Sequence, residues 1–241
     1  IEEELTGELP TMRIARLDTD VTVKRGALGD ILNRFASGEI DVLLGTQIVA
    51  KGLNFPRVRT VGIVMADLGL ILPDFRAAER TFALIVQVAG RAGRFRTDGE
   101  VIVQTVRPEH GAIRRAAAMD IDDFYADELE IRRQLSFPPF SRLVRIVVRS
   151  TNRASAEDAA RTLADLLDAI SIDAGSVERR FSVLGPAPAP LERIKRNWRF
   201  HVLLRGGEVE PLIQAVAYAV KNVPKRSDRY IEVDVDPVQL L

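Results

Sequence analysis

Gln87-Val88-Ala89-Gly90-Arg91-Ala92-Gly93-Arg94 closes a run with helical periodicity over residues 75–88. Two arginines three positions apart end the helix and share one of its faces. Gly90 and Gly93 let backbone or phosphate come close and let the helix end abruptly. A guanidinium is a planar fork suited to phosphate oxygens, and it stays charged at any working pH. The chemistry this pattern suits is stabilisation of charge on a transferring phosphoryl group. A glycine-rich helix end with two solvated arginines would use the same residue types, but an eight-residue string is far more specific than a lone pair of arginines.

Working outward, strand-like runs alternate with helical ones. Residues 13–17, 41–45, 59–66 and 99–106 read as short buried strands, and 23–35 as a helix stopped by Gly38. Such alternation predicts a parallel α/β sheet whose functional loops lie at the carboxyl ends of the strands. At one such end stands Leu43-Leu44-Gly45-Thr46-Gln47-Ile48-Val49-Ala50-Lys51-Gly52-Leu53-Asn54-Phe55-Pro56. Thr46 and Gln47 offer side-chain hydrogen bonds, Lys51 a cation, and Gly45 and Gly52 open backbone amides for a phosphate. Alone, the stretch also reads as an ordinary strand-to-helix turn.

Together the two stretches resemble motifs V and VI of superfamily 2 helicases, in the second RecA-like lobe. Asp74-Phe75-Arg76-Ala77-Ala78-Glu79-Arg80, Phe137-Pro138-Pro139-Phe140, the proline-rich run over 183–190 and the stretch 230–237 follow in an order that narrows the resemblance. That order is similar to the C-terminal half of the primosomal protein N′ (PriA) family of replication-restart helicases, over nearly the whole chain. The resemblance implies that Arg91 and Arg94 reach ATP phosphates from the opposite lobe. Gln87 and Gly90 belong to the same motif. Thr46 contacts the DNA backbone, and Gln47, Lys51 and Gly52 belong to its loop. Asn54 stands where relatives usually carry aspartate; an amide bonds a ribose hydroxyl without adding negative charge. The implied activity is 3′–5′ DNA unwinding driven by ATP and Mg2+ in the intact protein, at stalled replication forks, followed by primosome assembly. Zinc is expected in an upstream part. Implied partners are single-stranded and forked DNA, a single-stranded-DNA-binding protein and primosome proteins. A non-catalytic fork-binding scaffold on a degenerate helicase fold is the alternative.

The expected architecture is a RecA-like lobe over residues 1–110, a helical, proline-rich connector over 111–140, and a C-terminal DNA- or partner-binding domain over 141–241. In the connector Ile113, Met119, Phe124 and Leu129 are the expected inward positions. Phe137-Pro138-Pro139-Phe140 breaks the chain, because consecutive prolines continue neither a helix nor a central strand. Beyond it the elements read βαββαβ, a ferredoxin-like α+β arrangement. A helix is expected to start at Ser155 with Asp158 three residues on, burying Ala159, Leu163, Leu166, Leu167 and Ile170. The run over 185–190 reads as a rigid turn.

Arg193, Lys195, Arg196 and Arg199 interleave with Trp198 and Phe200. Cations can follow phosphates while aromatic faces stack on unpaired bases. Strand alternation equally allows Trp198 and Phe200 to pack inward, leaving the cations solvated. Asp18, Asp20, Asp67 and Asp74 lie near strand ends as caps or turn residues, and Asp67 is the one that could face a DNA channel. Asp234 and Asp236 alternate on what reads as a solvated face.

The 241 residues suit one large or two ordinary domains. With 46% hydrophobic and 28% charged residues, the chain reads as globular rather than disordered. No apolar run reaches the roughly 18 residues of a membrane helix. Cysteine is absent and there are two histidines, so disulfides and thiolate zinc sites are excluded within the chain and no metal site is expected. A monomer in a reducing cytoplasm is expected. Charge balances overall at 34 basic and 34 acidic side chains, but residues 131–241 carry 18 against 13, a surplus that suits a polyanionic partner. The sequence contains no GxxxxGK[ST] phosphate loop and no DExH motif. Arginine fingers without that loop cannot catalyse, so this stretch alone is expected neither to bind a cofactor nor to hydrolyse ATP. It opens on Ile1-Glu2-Glu3-Glu4-Leu5 and reads as a piece of a longer protein.

Overall fold

The computed structural model describes residues 1–17, 27–45, 57–92, 99–172 and 180–240. They gather into two units, Ile1–Gly69 with Glu79–Ile121, and Leu70–Ala78 with Asp122–Leu241.

In the first unit α1 (Glu2–Glu8) precedes β1 (Ile14–Leu17), α2 (Ala27–Ser37) and β2 (Val42–Gly45). β1 and β2 are parallel, in register from Ile14 opposite Val42 to Leu17 opposite Gly45. Their starts are tied by Arg13, whose Nε donates to Asp41 Oδ2 and Nη2 to Oδ1, both at 2.8 Å. This pairing holds the Asp41 carboxyl below the usual carboxylate range. A second parallel pair joins β3 (Thr60–Ile63) to β4 (Glu100–Val103). Between them in the chain come α3 (Leu68–Ile71) and α4 (Ala77–Ala92), of which Leu70–Ile71 and Ala77–Ala78 belong to the second unit, and after them α5 (Gly111–Ala117). His110 caps α5, its Nδ1 accepting from the Ala112 amide at 3.2 Å. Among the described residues the expected parallel sheet is therefore two two-stranded pairs.

The second unit contains α6 (Ile121–Gln134) apart from its first residue. It continues with β5 (Arg142–Ser150), α7 (Arg153–Ser171), β6 (Phe181–Ile194), β7 (Asn197–Gly206), α8 (Val209–Asn222) and β8 (Arg229–Val235). The strands form one antiparallel sheet in the order β6-β7-β5-β8, the split-βαβ topology expected from the sequence. β7 and β5 are the inner strands, and apart from Arg142 and Arg149 every residue of β5 is buried, Arg145 included.

The helix face of the sheet is packed by α7 and α8. α7 places Ala156, Ala159, Ala160, Leu163, Ala164 and Leu167 at helical spacing against Val144, Ile146, Val148, Val202 and Leu204. The alanines let the helix lie close to the strands, and each buried leucine contributes roughly 1.5–3 kcal/mol. The helix starts two residues before the expected Ser155. Asn152 is its cap and accepts from the Ser155 amide at 3.1 Å. Ser155 is buried, donating to Asp228 at 2.7 Å and accepting from Arg229 Nε at 2.9 Å.

Two connector positions differ from expectation. Ile113 and Phe124 are buried, but Met119 is 50% and Leu129 41% exposed. On α6 the turn after Phe124 buries Glu128 instead, which accepts from Arg132 Nε at 3.0 Å. The proline run is not a turn but lies inside β6, whose pairing with β7 shifts register between Leu184 and Ala187 and between Pro188 and Arg193. Prolines lack the ladder donor, and β6 tolerates them as an edge strand. Asp236 is not simply solvated: Arg142 Nε donates to it at 3.0 Å, and Asp234 accepts from Arg145 at 3.2 Å.

Candidate nucleotide and nucleic-acid interface

α4 carries the start of the paired-arginine motif, and Asp74, just before it in the chain, belongs with Ala77 to the second unit. The Ala77 amide donates to the Asp74 carbonyl at 3.0 Å, and the Asp74 carboxylate accepts from the Arg76 amide at 2.9 Å and the Leu240 amide at 2.8 Å. Phe75 stacks on Phe137 with ring centroids 5.3 Å apart, and the Arg132 guanidinium lies 5.3 Å from the Phe75 centroid. Further along, Phe82 and Ile85 are buried, Gln87 is half-buried and Gly90 is exposed. The helix does not stop at Gly90 but continues through Arg91 to Ala92. A Cβ at Gly90 would meet nothing within 4 Å. Packing among the described residues therefore does not require glycine at that position. An apolar cavity of about 310 Å3 beside this helix is lined by Ile85, Ala89, Val101, Val103, Ala116, Ala117 and Met119. It offers no charged group to a nucleotide. Arg94, and the whole set Thr46, Gln47, Lys51, Gly52 and Asn54, lie outside the described residues.

Asp67, the aspartate considered for a DNA channel, is buried and committed internally. Its carboxylate accepts from the Val106 amide at 2.9 Å and from Thr105 Oγ1 at 2.7 Å. These bonds, the Val106 amide first, hold it below the ordinary carboxylate range.

The basic stretch of the second unit forms a hairpin. Lys195 and Arg196 make its two-residue tip, with Ile194 opposite Asn197 and Lys195 at φ 56°. Arg193, Lys195 and Arg196 are exposed. Strand alternation then separates the remaining residues. Phe200 is buried in the core and Trp198 packs against it, so the inward arrangement of the aromatics is the one adopted. Arg193 lies 5.0 Å from the Trp198 centroid, and Arg153 lies 5.8 Å from Trp198 and 5.4 Å from Phe200. The indole is thereby engaged by cations of its own chain. Arg199 projects from the opposite face, with its Nη1 donating to the Leu191 carbonyl at 3.3 Å.

On that helix-free face the register sets Arg149 opposite Arg199 on one side and Tyr230 on the other. Two residues along, Val147 stands between His201 and Glu232. The Arg149 guanidinium sits 4.1 Å from the Tyr230 ring centroid. Burial, then Arg145 and Arg199, push the His201 imidazole below its ordinary range. Burial also lowers Arg199, with Arg145 and Arg149 adding to it and Glu232 opposing. Arg149 and Tyr230 were not singled out in the sequence. The signal was present as the four-residue spacing of Arg145 and Arg149, which puts both on one face of a strand.

Two family models match in chain order: the helicase conserved C-terminal domain over residues 2–96, and the primosomal protein N C-terminal domain over residues 133–238. The chain belongs to the PriA family. It is 46% identical over 242 residues to the replication restart protein PriA of Treponema pallidum, covering all of this chain and 36% of that protein. It is 37% identical to PriA of Borreliella burgdorferi and 37% to PriA of Bacillus subtilis, again over all of this chain and over 35% and 30% of theirs. The chain thus spans about a third of the length of the curated PriA relatives it matches. α4 falls within the helicase C-terminal domain match and the hairpin within the primosomal protein N one. No helix among the described residues is long and apolar enough to cross a membrane.

Proposed function

We propose that this PriA-family chain supplies the second RecA-like lobe and the C-terminal domain of an ATP-dependent 3′–5′ DNA helicase that recognises stalled forks and restarts replication through primosome assembly. The observation that carries the reading is the string Gln87 to Arg94 at the end of α4, inside the helicase match and followed by the family-specific one. ATP would supply the phosphoryl group whose transfer drives the motion. Arg91 and Arg94 would bind its phosphate oxygens, with Gln87 as the motif's leading contact and Gly90 leaving the backbone bare beside them. Among the described residues no group of three or more acidic or histidine side chains could hold a metal ion. On this reading Mg2+ accompanies ATP in the intact protein and zinc belongs to an upstream part, as the resemblance implies. Thr46, Gln47 and Lys51 would grip the strand backbone, Gly52 and Asn54 would face the nucleotide, and Arg193, Lys195, Arg196 and Arg199 would follow phosphates further along. Trp198, half-buried against the core with Arg153 and Arg193 against its ring, would add a contact beside them. Partners on this reading are forked DNA, a single-stranded-DNA-binding protein and primosome proteins, met by a monomer in the cytoplasm.

The test is DNA-stimulated ATP hydrolysis by a full-length protein containing this chain, with Arg94→Ala alongside. Loss of activity in the variant supports the assignment. Activity that survives keeps the motor and moves the finger elsewhere. A full-length protein with no activity favours a fork-binding scaffold, the reading to which Asn54 in place of aspartate lends weight. The chain by itself, without a phosphate loop, is expected to hydrolyse no ATP.

A further inference from the structure

Residues 70–78 lie inside the helicase match over 2–96, yet they gather with the second unit rather than the first. Asp74 and Phe75 carry the attachment of this strap. The Asp74 carboxylate accepts from the Leu240 amide at 2.8 Å through one oxygen and from the Arg76 amide at 2.9 Å through the other. Phe75 is stacked on Phe137, with ring centroids 5.3 Å and planes 10° apart, and the Arg132 guanidinium lies 5.3 Å from the Phe75 centroid. Arg132 is itself held in place, its Nε donating to Glu128 Oε1 at 3.0 Å and its Nη1 to the Pro138 carbonyl at 3.4 Å. Glu128 and Leu240 are buried. The strap passes straight into α4, whose first turn is closed onto it by the Ala77 amide donating to the Asp74 carbonyl at 3.0 Å. Apolar burial alone would serve stability. Stacked rings, a guanidinium and paired amides also fix orientation, because each is directional.

We propose that Asp74 and Phe75 are positioning residues for the paired-arginine motif, the means by which the second unit sets how α4 presents Arg91. The proposal rests on the motor reading above and deepens it by naming the link between DNA engagement and hydrolysis. The link is the backbone of α4. Ala77 and Ala78 belong to the second unit, and the same uninterrupted helix runs on to Arg91 and Ala92. At 1.5 Å per residue the stretch from Ala77 to Arg91 is a rod of about 21 Å, so a tilt of about 5° in its first turn moves the far end by about 2 Å. A misplacement of about 1 Å by a change remote from the chemistry costs up to about a hundredfold in rate. The basic hairpin belongs to the second unit too, so DNA held there acts on the unit that grips the strap. A strap that is gripped or released gives the helix two starting arrangements, which is what coupling along a rigid element requires.

The test is DNA-stimulated ATP hydrolysis by a full-length protein containing this chain, with forked-DNA affinity by anisotropy and thermal unfolding measured on the same variants. Phe75→Leu and Phe137→Leu keep an apolar side chain and remove the stacked pair. Each is expected to lower the DNA-stimulated kcat about tenfold or more. KM for ATP and DNA affinity are expected to stay within about twofold, the split that separates a misplaced group from lost binding. Phe75→Tyr keeps the ring and is expected to keep the stimulated rate. Asp74→Asn keeps the Oδ1 acceptor for the Arg76 amide and removes the Oδ2 acceptor for the Leu240 amide. It is expected to lower the same rate, and it decides the matter where the leucine variants fail to fold. Stimulated rates equal to that of the unsubstituted protein overturn the proposal, and loss of activity in Arg94→Ala alongside leaves the motor reading standing. A fall in DNA affinity and unfolding temperature that tracks the fall in rate makes the strap a matter of stability alone and also overturns it. A full-length protein that hydrolyses no ATP removes the motor reading and this link with it.

Discussion

Gly90 separates the demands of folding from those of function. It lies inside α4, where glycine costs roughly 0.5–1 kcal/mol relative to alanine, and a Cβ there meets open space. Gly90→Ala is therefore expected to stabilise the chain by about that amount in denaturant unfolding, while lowering DNA-stimulated ATP hydrolysis of a full-length protein. The titrating residues make a second prediction. Asp67 and Asp228 have carboxyls lowered by hydrogen bonds, led by the Val106 amide and by Ser155 respectively. A lowered carboxyl stabilises the fold above its unfolded pKa near 3.8, and the contribution is lost as pH falls through the folded value. His201 is lowered too, so the unfolded chain takes up its proton first as pH drops below about 6.5, again favouring unfolding. Unfolding temperature should fall in two stages, below about 6.5 and below about 4. His201→Gln should remove its share of the first stage and Asp67→Asn its share of the second. At this scale the sequence showed residue type but not company. The period of β7 left both placements of Trp198 open, and only packing against α7 decided between them.

At the scale of elements, β6 holds the clearest constraint. Gly185 has φ +103°, and a Cβ on it would lie 2.9 Å from the His201 carbonyl oxygen. Gly185→Ala is expected to destabilise the second unit by about 1–3 kcal/mol, measured by chemical denaturation. Leu167→Ala, emptying a fully buried position on α7, should cost roughly 2–5 kcal/mol in the same measurement. Element type was legible because periods of 3.6 and 2 are imposed by burial on one side. The start of α7 was misplaced because Asn152 and Ser155 are both good caps, and the choice depends on Asp228, distant in sequence, which takes the Ser155 hydroxyl. The proline run looked like a turn because proline cannot donate to a ladder, a rule that edge strands escape.

At the scale of the molecule, balanced overall charge conceals a basic C-terminal part, 18 basic against 13 acidic side chains over residues 131–241. Single-strand binding by this chain is therefore expected to be weak and to fall steeply with salt; affinity unchanged between low and moderate salt would contradict it. The ferredoxin-like topology was legible in full, since the order βαββαβ leaves few ways to close one antiparallel sheet. The helicase lobe was legible through its motifs more than its strands, because four-residue strands carry little periodic signal.

β7 is two-sided, with Phe200, Val202 and Leu204 toward the helices and Arg199, His201 and Leu203 away from them. A saturation scan along this strand should therefore come out as an alternating barcode. Even-numbered positions would tolerate only apolar replacements and be scored by soluble yield. Odd-numbered ones, half-buried, would accept polar as well as apolar side chains, with the smallest tolerance at His201.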